Sequence, residues 1–180
     1  MIKDKNLIIN KRTFDTSFYE MELEFDNSKV LDFLKEKIMF QDTMLTTYNE
    51  FKNILEDEKL LKFKNHIYEH LHYFSKNVLK NKQVVMGESW FQAYKENDYH
   101  SLHIHGIDKN WWSLIYYVEA SVNSAKTIIY SPGYPYAPEV KKIVEPKKNK
   151  LVIFPSYFPH QVELNKDNSR IILSANFKVY

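Results

Sequence analysis

The sequence has no cysteine and only three glycines among 180 residues. Without cysteine there is no disulfide framework and no zinc site built on thiolates, and the absence fits a reducing cytosol. Three glycines are too few for a phosphate-cradling loop, and neither G-x-G-x-x-G nor G-K-[ST] occurs. No window approaches the roughly 20 apolar residues of a membrane-spanning helix. The opening run MIKDKNLIINKRTF has no apolar stretch long enough for a signal peptide. A charge excess is missing too: 25 basic against 23 acidic residues leave a formal net charge of +2, so no strong field points to nucleic acid or a membrane. The densest basic stretch, Lys141, Lys142, Lys147, Lys148 and Lys150, reads as solvated loop edges. The expectation is a soluble intracellular protein.

What is present is an ordinary globular composition, 44% hydrophobic and 27% charged, with many aromatics (13 Tyr and 12 Phe). The length fits one domain, 1–180, with a sizeable core. Residues 17–25 (SFYEMELEF) alternate like a strand, and Asn27-Ser28 is placed to cap a short helix through Val30, Leu31, Leu34 and Ile38. Over residues 57–80, Leu60, Phe63, Ile67, Leu71, Phe74 and Val78 recur at steps of three and four, which predicts a longer helix. After Lys82 the character changes to eight short β-rich runs separated by turn-forming residues. The predicted architecture is mainly β, in the α+β sense. Residues 83–180 form a double-sheet jelly roll, and helices from 1–82 support it on the outside of one sheet.

The chemistry concentrates in the jelly-roll half. His103 and His105 are separated by one residue, which puts both imidazoles on the same side of a strand, just before a turn at Gly106 to Asn110. His160 opens a distant strand after FPSYFP, and Arg170 follows ten residues later. A third imidazole from a distant strand completes one face of a coordination sphere, and imidazole suits Fe, Zn, Cu and Ni. An arginine on a neighbouring strand can hold a co-substrate carboxylate. The pattern suits a metal that activates oxygen. His100 has the wrong strand parity relative to His103 and is expected to face outward or to sit behind the ligands.

The segments ESWFQAY, YHSLHIHG, WSLIYYVEA, KLVIFPSYFPHQV and SRIILSANF, between about Ser89 and Phe177, together resemble the 2-oxoglutarate and iron(II)-dependent oxygenases of the phage and bacterial type, related to prolyl hydroxylases. The resemblance implies a double-stranded β-helix fold and iron ligands at His103, His105 and His160. It implies that Arg170 pairs with the distal carboxylate of 2-oxoglutarate, for which the guanidinium fork is suited. Ser174 and Asn176 share the strand face of Arg170 as further hydrogen-bonding candidates. Tyr116 is another candidate co-substrate contact, and Gln92 and Trp90 are candidates for the mouth. The implied reaction consumes O2, decarboxylates 2-oxoglutarate to succinate and hydroxylates a substrate. That substrate is a small molecule, a protein side chain or a nucleobase. The implied location is the cytoplasm, that of the host for a phage protein, with a homodimer possible. Two positions depart from the wider superfamily. His105 stands where Asp or Glu is usual, with Asp108 the alternative ligand, and the usual R-x-S fails because residue 172 is Ile.

Other readings compete. One is a three-histidine, cupin-like metalloenzyme that does not use 2-oxoglutarate; another is a non-catalytic jelly-roll binding or virion-associated module. His66-Ile67-Tyr68-Glu69-His70 matches the zinc-peptidase pattern H-x-x-E-H. The core stripe through Ile67 and Leu71 instead predicts that His66 faces solvent and His70 lies at the flank. Ser156 has no evident base and acid around it. Trp111-Trp112 and Tyr116-Tyr117 are expected to place one member of each pair in the core. SPGYPYAPEV, residues 131–140, reads as a substrate-facing lid or a rigid hairpin edge.

Overall fold

The computed structural model describes residues 7–9, 18–38, 45–48, 53–80, 82–136 and 140–180. The amino-terminal part contributes β1 (Leu7–Ile9), β2 (Tyr19–Glu22), α1 (Ser28–Ile38) and β3 (Leu45–Thr46). Two 3-10 turns, Ile54–Glu56 and Glu58–Leu60, lead into α2 (Leu61–Asn77). Eight strands follow, one for each predicted run: β4 (Val84–Tyr94), β5 (His100–His103), β6 (Trp111–Glu119), β7 (Thr127–Tyr130), β8 (Lys141–Val144), β9 (Lys150–Pro155), β10 (His160–Val162) and β11 (Arg170–Val179).

The strands make two antiparallel sheets, a seven-stranded one in the order β1-β2-β9-β6-β11-β4-β3 and a four-stranded one in the order β5-β10-β7-β8. The amino-terminal part is therefore more than helical support, because β2 extends the large sheet through β9 and β3 extends it through β4. Period-2 alternation then divides the large sheet cleanly. Ile115, Tyr117, Val152, Phe154 and Ile172 face the small sheet and meet its Ile129, Val144 and Val162. Leu114, Tyr116, Val118, Leu151, Ile153 and Leu173 face the helices and meet Phe63, Ile67, Leu71 and Phe74 of α2. Each such buried side chain stabilises the fold by about 1.5–3 kcal/mol, which is how a helix with charged residues on its outer face is held on the sheet.

Two local expectations change. Asn27 precedes α1, but its side chain does not cap the helix. Asp26 accepts from the Ser28 backbone N–H (3.0 Å), while Asn27 Nδ2 donates to Val118 O (2.8 Å) and Asn149 Oδ1 (2.7 Å). The lysine-rich stretch is also paired. Lys142 and Lys150 lie 3.5 and 3.8 Å from Glu20, Lys147 is 2.8 Å from Glu22, and Lys148 is 2.8 Å from Glu119. Strand β2 and the end of β6 thus neutralise what the sequence presents as a basic cluster. Among the described residues, no helix is long and apolar enough to cross a membrane.

Candidate metal centre

Strands β5 and β10 are antiparallel neighbours with His103 opposite His160, so both imidazoles leave the same face, inward between the sheets. His105 lies just past β5, where its backbone N–H donates to Ser156 O at 3.0 Å and anchors the turn. The three side chains each offer one nitrogen, all within 4.8 Å of one another. His105 Nε2 and His160 Nε2 are 3.2 Å apart. His103 Nδ1 donates to Ser101 O (2.7 Å) and His160 Nδ1 to Phe158 O (2.9 Å). A carbonyl accepts only from N–H, so both rings are fixed in the tautomer that leaves Nε2 with a free lone pair, the arrangement a metal ligand requires.

The electrostatics agree. Burial, then the nearby His103 and His105, hold His160 well below the usual 6.5. Burial first and then His103 and His100 bring His105 down to about 4, and burial lowers His103. All three are neutral near pH 7, as metal binding demands. The donor set fits a first-row metal such as iron, and it contains no carboxylate.

Arg170 lies beneath the cleft, fully buried, with Nε donating to Ala125 O (3.1 Å) and Nη2 to Thr127 Oγ1 (2.9 Å). Its guanidinium carbon sits 4.2 Å from the Tyr94 ring centre and 5.4 Å from that of Tyr117. Nη1 is buried with no hydrogen-bond partner among the described residues. A buried cation with an unmet donor and no acid beside it is costly unless an anion arrives. Register places its partner Thr127 one row from the histidines. Thr127 is two residues along β7 from Ile129, the partner of His160, which is about 7 Å at strand rise. That separation suits a short dicarboxylate lying between the metal face and the guanidinium.

Residues 88–176 match the family model described as "Putative 2OG-Fe(II) oxygenase". The chain belongs to the 2OG-Fe(II) oxygenases. This is a family of oxidoreductases, and solved structures of similar fold agree with it. A prolyl-4-hydroxylase from Pseudomonas putida is 14% identical with TM-score 0.61, over 91% of this chain and 92% of that one. The viral collagen prolyl hydroxylase of Paramecium Bursaria Chlorella virus-1, in its 2OG complex, is 14% identical with TM-score 0.61, over 91% and 96%. HygX from Streptomyces hygroscopicus with iron bound is 10% identical with TM-score 0.63, over 91% and 82%. At these identities the likeness establishes the double-stranded β-helix fold. No curated protein matches the chain.

Within the oxygenase cleft, Trp90, Gln92 and Ser174 line the wall with the histidines, and the Trp90 ring centre is 5.6 Å from that of His105. Ser174 shares the inward face of Arg170 but stands four residues on, about 14 Å along the strand. One carboxylate therefore cannot reach both. Asn176 is farther still and accepts from Ser113 Oγ at 2.9 Å. Tyr116 is turned away from the cleft, because even-numbered residues of β6 face the helices. Its hydroxyl donates toward Asn149 Oδ1 (2.8 Å) and Asn27 Oδ1 (3.2 Å). Asp108 is exposed; its carboxylate accepts from Asn110 N–H (2.9 Å) and lies 3.9 Å from Lys178, outside the histidine cluster.

Sequence reasoning missed Tyr94, Thr127 and Tyr117, the residues around Arg170. Tyr94 was legible, since it continues the inward alternation of Trp90 and Gln92 on β4. His100 is inward too. The register between β5 and β10 shifts between the His103 and His100 pairs, with one residue of β10, Gln161, facing two of β5, Ser101 and Leu102. This β-bulge turns His100 onto the face of His103, where the rings stack at 4.1 Å and 16°.

The other candidates are structural. His66 stacks on Phe25 (4.5 Å) and meets His70 edge-on (4.6 Å), and His70 is buried, so this face of α2 is packed and not solvated. Among the described residues, only His103, His105 and His160 form a cluster of metal-ligand type. Trp112 packs on Tyr19 and Phe74. Trp111 covers Gly87, where an added Cβ would lie 2.8 Å from the indole. Ser156 Oγ is buried against Ser113 Oγ at 2.8 Å. In the loop over 131–140, Tyr134 stacks on Tyr130 at 4.0 Å, and residues 137–139 lie outside the described residues.

Proposed function

We propose that this oxygenase is a hydroxylase that holds Fe(II) through His103, His105 and His160 and holds 2-oxoglutarate through Arg170. The observation that supports this best is the pairing of a histidine cluster, two of its rings fixed in tautomer, with a buried guanidinium whose Nη1 has no partner. Bound iron and 2-oxoglutarate supply the activation of O2, with decarboxylation of the co-substrate to succinate. The chain's own residues do the positioning. Ser101 O and Phe158 O fix the orientation of two ligand rings. Thr127 and Ala125 hold the guanidinium through Nη2 and Nε and leave Nη1 unpaired to meet a carboxylate. Phe154, Ile172 and Val162 wall the cleft with hydrocarbon, which excludes water and strengthens each charge contact inside. No side-chain acid or base is required. The substrate is a small molecule or a protein side chain.

Anaerobic addition of Fe(II) and then 2-oxoglutarate tests the reading. The expected result is the weak visible charge-transfer band of the chelate, present with the native protein and absent when either component is omitted. Metal binding without that band would move the assignment to a three-histidine metalloenzyme that does not use 2-oxoglutarate.

A further inference from the structure

His100 has no role in the ligand set, yet the chain spends a β-bulge to bring it into the cleft. Bulges next to active sites commonly re-aim one side chain. Cross-strand register places His100 opposite Val162, and Val162 opposite Thr127. The row Thr127–Val162–His100 is thus the row of the guanidinium, whereas His103 and His160 occupy the next row. His100 stands at the Arg170 end of the cleft and stacks on His103 from that side. Arg170 is close enough for its charge to act on His100, after burial and His103 as causes of a lowered pKa near 4. Neither ring nitrogen of His100 has a hydrogen-bond partner among the described residues, while Nδ1 of both His103 and His160 is tied to a carbonyl. The bulge serves the ring stack on His103 as well, but a ring that only packed against a ligand would not need an open N–H.

We infer that His100 is a second co-substrate-binding residue, donating its ring N–H to the distal carboxylate of 2-oxoglutarate opposite Arg170 Nη1. The inference rests on the co-substrate reading above and extends it. A neutral imidazole suffices for this bond, because the donor is an N–H and the acceptor supplies the charge. It also supplies a polar donor near the guanidinium that residue 172, an apolar Ile packed between the sheets, cannot.

The test is equilibrium binding to the zinc-loaded protein, with 2-oxoglutarate and pyruvate as the two probes. Both carry the 2-oxo acid group, and pyruvate lacks the distal carboxylate. His100→Ala should weaken 2-oxoglutarate binding about ten- to a hundredfold, the range of one hydrogen bond to a charged group, and leave pyruvate and zinc affinity within twofold. His100→Phe keeps the ring stack on His103 and should lose as much 2-oxoglutarate affinity as His100→Ala. Equal losses for both probes, or full affinity in His100→Phe, would mean that the ring only packs on His103, and the inference fails. If the native zinc form binds no 2-oxoglutarate, the co-substrate reading itself fails and takes this one with it.

Discussion

Replacing Arg170 by methionine separates what the residue does for the fold from what it does for the ligand. Methionine keeps an unbranched stem of similar length and removes the charge. In the ligand-free protein the guanidinium gives two hydrogen bonds, to Ala125 O and Thr127 Oγ1, of about 1.5–3 kcal/mol each. Its position over Tyr94 adds about 2 kcal/mol. Against these stands the several kcal/mol needed to bury a charge with no acid beside it. The opposing contributions nearly cancel, so Arg170→Met should change unfolding stability by no more than about 2 kcal/mol in either direction. That corresponds to about 4–8 °C in Tm for a chain of this size. Ligand binding should respond very differently. Truncating one partner of a buried charge pair costs about 2–5 kcal/mol, or about 30- to 4,000-fold in affinity. Calorimetric titration of the zinc-loaded protein with 2-oxoglutarate measures this loss, and chelator competition measures zinc affinity in parallel. Two results would refute the reasoning. Equal loss of zinc and 2-oxoglutarate would make Arg170 structural. A Tm fall well beyond that window would show that the guanidinium has a stabilising partner in the folded state.

Three other predictions use the same coordinates. His105→Ala should lower zinc affinity at least a hundredfold while Asp108→Ala changes it less than twofold, because the Asp108 carboxylate is engaged by Asn110 N–H; chelator competition on both variants decides it. Tyr116→Phe should cost only about 1 kcal/mol, because Asn149 Oδ1 keeps its bond from Asn27 Nδ2, and 2-oxoglutarate affinity should not move; a large loss of affinity would return Tyr116 to the cleft. Acid should destabilise the metal-free protein. His66 is pushed down to about 4, by burial first and then by His70, so between pH 6.5 and 4 the unfolded chain binds more protons than the folded one. Stability is then full above about 6.5 and is lost as pH falls toward 4. The cleft histidines act with the same sign, so in Tm-against-pH curves His66→Phe should flatten the fall only in part.

The strands were legible because turn residues bracket each apolar run, and the histidine cluster because an H-x-H repeat keeps two imidazoles on one face. Parity also carried Arg170 and Ser174 to the inner face correctly. It did not carry the distance between them, since four residues of strand separate what one face unites. His100 escaped for the opposite reason. Its odd spacing from His103 leaves it either outward or behind the ligand candidates, and only a register shift against β10, which no local pattern encodes, decides for the second. Tyr116 shows a misplacement that the sequence itself could have corrected. In LIYYV, two adjacent tyrosines must face opposite ways, and Tyr117 is the one between the sheets, with its hydroxyl 3.0 Å from Thr127 Oγ1. The packing of His66 depends on Phe25, an amino-terminal residue more than 40 positions away in sequence.

Under the proposed ligand set, the charge arrangement of the cleft accounts for a histidine at 105 in place of a carboxylate. None of the side chains lining the cleft is acidic. Three neutral imidazoles leave a divalent cation's charge undiminished, and Arg170 adds one more positive charge about two strand residues away. A dianion spanning the two centres reduces the total to +1, whereas a ligand carboxylate would have brought it to zero. The surplus favours whichever anion fits the gap, so the missing R-x-S hydroxyl is less of a handicap here than at a neutral site. It also makes the geometry of Arg170 decisive. A monocarboxylate at the histidines would leave Nη1 buried and unmet, and the cost of that unmet donor is what separates a five-carbon dicarboxylate from shorter 2-oxo acids. Native zinc-loaded protein should therefore prefer 2-oxoglutarate to pyruvate by at least two orders of magnitude, and Arg170→Met should cut that preference by at least about thirtyfold, leaving the share that His100 holds.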